Sequence, residues 1–174
     1  VLCYDERGLF LTDGELCVSS DFADMQKRLK AAGAKTELIL KAAKIKKDRS
    51  EIRIVDATAG MGEDAVILAA AGYNVTMDEK DPVIAAILND NMERSAKNPL
   101  LAPIIERMTL IKSDSVKAMK CMNGEADIIL LDPMFPARSK SALIKKKFQL
   151  IHLIEAPCDN EEELLNAAFA AKPK

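Results

Sequence analysis

The chain has 174 residues, 49% apolar and 30% charged, which suffices for one buried core and is ordinary for a soluble globular protein. Lys and Arg number 25 against 27 Asp and Glu, a net charge of −2, so no global basic field exists and any nucleic-acid contact must come from a local patch. No apolar run reaches membrane-spanning length, and no signal peptide is visible in the residues that open this sequence at Val1.

In chain order, residues 1–20 alternate weakly, and Asp13-Gly14 between Gly8-Leu9-Phe10-Leu11 and Leu16-Cys17-Val18 is a hairpin signal. Residues 21–32 are polar with scattered apolar positions, consistent with a helix or an ordered loop, and 36–44 predict a short helix. From residue 52 a strand-helix rhythm sets in. Strands are predicted over 52–57, 74–79, 108–113 and 126–131, and helices over 63–71, 82–96, 115–121 and 161–171. This alternation predicts an α/β fold: a doubly wound, Rossmann-like parallel sheet with helices on both faces. Residues 1–45 read as an N-terminal hairpin/helix extension packed on a core of residues 46–174. With four strands and a final helix in sequence, further C-terminal strands are expected beyond this stretch, because an open sheet edge is otherwise exposed.

The cysteines Cys3, Cys17, Cys121 and Cys158 form no C-x-x-C pair, and His152 is the single histidine. A metal site is therefore not expected and reduced cytosolic thiols are; Cys3 and Cys17 could face each other on a hairpin, with packing the better reading for them.

Chemistry is expected at the strand ends. Val55-Asp56-Ala57-Thr58-Ala59-Gly60-Met61-Gly62-Glu63-Asp64 runs from strand through a glycine turn into a helix, and Gly60 and Gly62 permit a tight turn and close approach of a ligand. The second strand ends at Glu79, placed to accept ribose hydroxyls. Asp114 and Ser115 end the third, facing an adenine edge, and Asp132 ends the fourth. Each carboxylate alone is also what a helix N-cap after a strand looks like. Gly60-x-Gly62-x-x-Ala65 fits the dinucleotide fingerprint, but the acid at Asp56 is better explained by an S-adenosylmethionine site.

Asp132-Pro133-Met134-Phe135 lies close to the D/N-P-P-Y/F tetrapeptide of enzymes that methylate amino groups on bases or amides. An exocyclic amine is a weak nucleophile because its lone pair is conjugated. The Asp132 carboxylate and the Pro133 carbonyl can accept its two N–H bonds and free the lone pair, while Phe135 stacks on a base held out of its helix. The competing reading is a proline loop with Phe135 in the core. Arg138, Lys140, Lys145, Lys146 and Lys147 follow directly and can bind phosphates; a solvated lysine-rich face is the bland alternative.

These blocks, together with Met77-Asp78-Glu79-Lys80-Asp81-Pro82 and Lys140-Ser141-Ala142-Leu143-Ile144-Lys145-Lys146, resemble the bacterial 16S ribosomal RNA (guanine-N2)-methyltransferases of the RsmJ type over roughly residues 5–170. Met134 is that family's own residue in the tetrapeptide. The resemblance implies a class I methyltransferase fold, S-adenosylmethionine as methyl donor, and a guanine N2 in 16S rRNA or the small ribosomal subunit as target. It places cofactor contacts on Glu63 and Asp64, Glu79 and Lys80, Asp114 and Ser115, and Asp132. Glu63 stands where the family often has Arg, and the segment Arg28–Lys35 is poorer in Arg and Gly than the family's. Two other readings stay open: an NAD-dependent oxidoreductase, which leaves the Asp132 tetrapeptide without a role, and a non-catalytic RNA-binding protein on the same fold.

Overall fold

In the computed structural model of the chain, residues 1–33, 37–133 and 160–173 are described. Residues 1–20 form a three-stranded antiparallel meander rather than a single hairpin: β1 (Leu2–Asp5), β2 (Gly8–Thr12) and β3 (Cys17–Ser19). The additional turn is closed by Asp5, whose carboxylate accepts the Arg7 N–H at 2.8 Å. The expected turn at Asp13-Gly14 is closed in the same manner, with the Asp13 carboxylate accepting from Glu15 N–H at 2.9 Å and Leu16 N–H at 2.7 Å. Both are side-chain mimics of a backbone turn. Cys3 and Cys17 lie on the two outer strands with β2 between them. Their thiols are free, and Cys17 is exposed, contrary to the packed role expected of it.

A 3-10 turn (Phe22–Met25), α1 (Gln26–Gly33) and α2 (Leu38–Ala42) lead into the sheet. It comprises β4 (Arg53–Asp56), β5 (Asn74–Asp78), β6 (Met108–Ile111) and β7 (Ile128–Leu130), all parallel in the order β6-β5-β4-β7. The connecting helices are α3 (Glu63–Ala70), α4 (Pro82–Ser95), the short α5 (Ala102–Ile105) and α6 (Ser115–Cys121); α7 (Glu161–Ala170) follows β7. Alternate residues of β4 serve opposite faces. Ile54 packs with Ala65, Ile67 and Leu68 of α3 and with Leu88 of α4, whereas Val55 packs with Val116 and Met119 of α6 and with Leu164 and Ala168 of α7. Right-handed crossovers demand this split. The chain steps from β4 through β5 to β6 in one direction, then returns past β4 to β7. The reversal leaves a crevice between the carboxyl ends of β4 and β7, where open α/β sheets bind ligands.

The helix starts follow local chemistry. Asp81 caps α4 by accepting from Val83 N–H at 2.8 Å and Ile84 N–H at 3.0 Å, with Pro82 pre-set at the first helical position. The N-terminal region is fastened to this helix. Asp90 accepts the Leu9 N–H at 2.9 Å, Asn91 accepts the Phe22 N–H at 3.1 Å, and Asn91 donates to Ser20 Oγ at 2.8 Å. Phe22 is fully buried in the core beneath the glycine turn.

Candidate functional site

At the carboxyl ends of the strands lies a cavity of about 390 Å³, within the usual size of a small-molecule site. Its lining includes Asp56, Thr58, Gly60, Glu63 and Asp64 after β4, Asp78, Glu79 and Lys80 after β5, Ser113, Asp114 and Ser115 after β6, and Asp132 and Pro133 after β7. All the strand-end residues singled out from the sequence thus converge there except Gly62, which sits one step behind.

The two glycines have different reasons to be glycine. Gly60 takes φ +52°, and a Cβ there would meet nothing within 4 Å, so its missing side chain is open space beside the cavity. Gly62 takes φ +73°, and a Cβ would stand 2.8 Å from Leu88 and 3.3 Å from the Phe22 ring. Gly62 therefore allows α3 to press against α4, and Gly60 allows the backbone to approach a guest. Gly62 also starts α3 with no side-chain cap.

Glu79 braces this turn. Its Oε2 accepts the Gly60 N–H at 3.0 Å and its Oε1 accepts the Asp81 N–H at 2.7 Å, in a site where the residue is only 5% exposed. Across the crevice the Asp132 N–H donates to Thr58 Oγ1 at 2.7 Å, tying the end of β7 to the turn after β4. Asp132 itself is exposed, and so is accessible to a second reactant. Asp114 accepts the Lys117 N–H at 3.1 Å and caps α6, so the helix-cap reading holds for it while it also lines the cavity.

The electrostatics are strongly one-sided. Asp56 is 3% exposed and accepts only the Thr58 N–H, at 3.2 Å, among the hydrogen bonds found. Burial, with Asp64, Asp132 and Glu79 nearby, pushes its carboxyl up to about 7. Burial also raises the carboxyls of Asp64, Asp78 and Glu79; for Asp64 the neighbouring Asp132 adds to the rise while Arg28 opposes it. Asp78 accepts from the Ser113 hydroxyl through Oδ1, while its Oδ2 is buried without a hydrogen-bond partner. Such crowding of carboxylates is costly unless a cationic, hydrogen-donating group enters.

The donor set fits S-adenosylmethionine, whose sulfonium and ammonium are cations and whose ribose offers two hydroxyls. Glu63, Asp64, Glu79, Lys80, Asp114, Ser115 and Asp132 would hold it, with the Gly60 turn alongside. Among the described residues no group of three or more His, Cys, Asp or Glu side chains is placed to hold a metal ion.

Sequence reasoning missed Thr58, Asp78, Ser113 and Arg28 as cavity residues. Thr58 lay inside the quoted motif, and Asp78 directly precedes the chosen Glu79, so strand-end position was a usable signal for both. Arg28 sits on α1, far away in sequence; it enters the sequence reading only within the segment aligned with the family's Arg- and Gly-rich stretch, and nothing there points to the cavity. Phe135, Arg138, Lys140, Lys145, Lys146 and Lys147, with Met134 and His152, lie outside the described residues.

The "Putative SAM-dependent methyltransferase" family model matches residues 9–174. A protein of Marinobacter nauticus named ribosomal RNA small subunit methyltransferase J is 37% identical over 97% of this chain and 63% of its own length. Proteins of the same name from Pectobacterium atrosepticum and Pseudomonas aeruginosa are 38% and 41% identical, over 92% and 82% of this chain and 65% and 55% of their own lengths. The chain thus spans between 55 and 65% of these relatives. The crystal structure of a SAM-dependent methyltransferase from Neisseria gonorrhoeae superposes with a TM-score of 0.68 at 24% identity, covering 96% of this chain and 65% of that one, and shares the fold. The strand order is common to dinucleotide-binding folds and methyltransferases, so the family match decides between them and the NAD-dependent oxidoreductase alternative falls: the chain belongs to the SAM_MT family of S-adenosylmethionine-dependent methyltransferases.

Proposed function

We propose that this chain is the cofactor-binding and catalytic part of an RNA methyltransferase that acts on the exocyclic N2 amine of a guanine in 16S ribosomal RNA, in the cytoplasm. Residues 46–174 form the core that does this, and residues 1–45 brace it. The observation that carries the reading is the hydrogen bond from Asp132 N–H to Thr58 Oγ1, at 2.7 Å. It fixes Asp132-Pro133 at the lip of the cavity, with the glycine turn on the other side. The ribosomal RNA named in the relatives' descriptions supports the substrate class.

S-adenosylmethionine, when bound, supplies a methyl group made electrophilic by its sulfonium. The chain's own residues do the rest by positioning. The Asp132 carboxylate accepts one N–H of the target amine and the Pro133 carbonyl the other. The nitrogen lone pair is thereby turned out of conjugation, and alignment replaces a stronger nucleophile. After transfer the amine sheds one proton to Asp132 or to water. Phe135 stacks on the base, and Arg138, Lys140, Lys145, Lys146 and Lys147 hold neighbouring phosphates; these roles rest on the sequence motif.

The test is transfer of labelled methyl to small-subunit rRNA, naked and in assembled 30S particles, with the chain extended to the length of its relatives. Asp132→Ala should reduce transfer by about 10³-fold, the scale of losing a transition-state hydrogen-bonding group. Its affinity for S-adenosylhomocysteine should change little. Full transfer by that variant would sink the mechanism, and RNA binding without transfer by the unaltered protein would favour the non-catalytic reading.

A further inference from the structure

Seven carboxylates and only two cationic side chains, Arg28 and Lys80, line the cavity among the described residues. That imbalance suits the cationic parts of the cofactor but not its α-carboxylate, which would be repelled by Asp56, Asp64 and Asp132 unless a cation stood beside it. Arg28 is placed for this. It projects from α1 into the cavity lining on the side of the glycine turn, where the first turn of α3 begins. Its guanidinium is held by two acids: Glu37 accepts from Nε at 3.4 Å and Nη2 at 3.3 Å, and the Glu63 carboxylate stands 3.6 Å from Nη1. These contacts are long for charge-assisted bonds, which run about 2.7–2.9 Å. The guanidinium is therefore oriented by the pair yet not saturated, and its side chain is 46% exposed.

We propose that Arg28 is the residue that recognises the α-carboxylate of the cofactor's methionyl moiety, with Glu37 and Glu63 positioning its guanidinium. Arg suits this duty better than Lys, because its planar fork can meet a carboxylate with two parallel N–H bonds. The acids of the cavity would serve the sulfonium and the ammonium, and Arg28 would serve the carboxylate that shares the ammonium's carbon. It also gives the N-terminal region a part in binding, since α1 packs against α3. This inference rests on the cofactor reading above.

Calorimetric titration of the unaltered protein and of Arg28→Ala and Arg28→Lys with two probes tests it. S-adenosylhomocysteine carries the carboxylate, whereas 5′-methylthioadenosine shares the adenosine and thioether but lacks the amino-acid part. Arg28→Ala should weaken S-adenosylhomocysteine binding by about tenfold, a half-exposed charge-assisted contact being worth roughly that. It should leave 5′-methylthioadenosine binding unchanged, and Arg28→Lys should fall between. Equal weakening of both probes would make Arg28 a fold-supporting residue and overturn the proposal. Unchanged affinity for both would overturn it too, and an accompanying loss of RNA affinity would assign Arg28 to the RNA face. If the unaltered protein bound neither probe, the cofactor reading itself would fall and the proposal with it.

Discussion

The two ends of the parallel sheet each bury aspartates, and they treat them in opposite ways. At the amino end Asp127, just before β7, is 1% exposed. Its carboxylate accepts the Arg53 N–H at 2.9 Å and lies 3.6 Å from Lys47 Nζ and 3.7 Å from Arg53 Nε. At the carboxyl end Asp56 and Asp78 are each 3% exposed, yet Asp78 leaves one oxygen unpartnered and Asp56 is pushed up to about 7. A buried acid supplied with donors and cations serves the fold. A buried acid left short of them is a site that a cationic guest completes.

The contrast is best broken at Asp127. Replacing it with Ala should cost about 3 kcal/mol of stability, because a backbone donor and two cations lose their shared acceptor. Affinity for S-adenosylhomocysteine should hold at temperatures where the variant stays folded, as melting curves with and without ligand would show. An equal loss of affinity would mean that the two ends are coupled.

At the other end, Glu79→Ala should weaken S-adenosylhomocysteine binding by about 2 kcal/mol, since the Gly60 and Asp81 amides lose their acceptor and, in the proposed site, so would the ribose. Unchanged affinity would remove Glu79 from the site.

Asp56 gives a pH test whose sign is fixed. Its folded value of about 7 lies above the unfolded value of 3.8, so the folded state holds the proton longer. The stability that this group contributes is full below pH 4, is lost as pH rises toward 7, and is absent above it. Asp64, Asp78 and Glu79 shift the same way and deepen the slope. Asp56→Asn should therefore stabilise the ligand-free protein by about 2 kcal/mol above pH 7 and flatten the loss between pH 4 and 7. S-adenosylmethionine binding to the unaltered protein near pH 6 should release protons, measurable from its dependence on buffer ionisation heat. A variant no more stable at pH 8 than at pH 4, relative to the parent, would contradict this.

The smallest expected effect is at Thr58. Thr58→Val removes the acceptor for the Asp132 N–H and should cost about 1 kcal/mol. It should lower the rate of methyl transfer more than cofactor affinity; the reverse would place Thr58 in the cofactor contact rather than in positioning Asp132.

Much of this was legible in the chain. The four parallel strands and the helices at 63–70, 82–95, 115–121 and 161–170 fall within two residues of expectation, because each pairs a strong apolar period with a local stop signal such as Gly60-Met61-Gly62 or Asp81-Pro82. The meander was read as one hairpin because its first turn is made by Asp5 and Arg7, without the Gly or Asn pair that marks such turns. The four-residue α5 is too short for a helical period to register. Asp114, expected at a ligand's edge, lines the cavity and caps α6, so the helix-cap pattern alone accounts for its place at the strand end.

The sequence by itself determined the strand-end positions of the acids, since a strand running through glycine into a helix has to leave its next polar residue at the carboxyl edge. Only the tertiary structure decided which of those acids would be short of partners. That depends on the order β6-β5-β4-β7, which sets β7 beside β4, and on α1 returning to bring Arg28 to the rim. Burial and electrostatic balance are properties of neighbours in space, and residues separated by dozens of positions along the chain supply them.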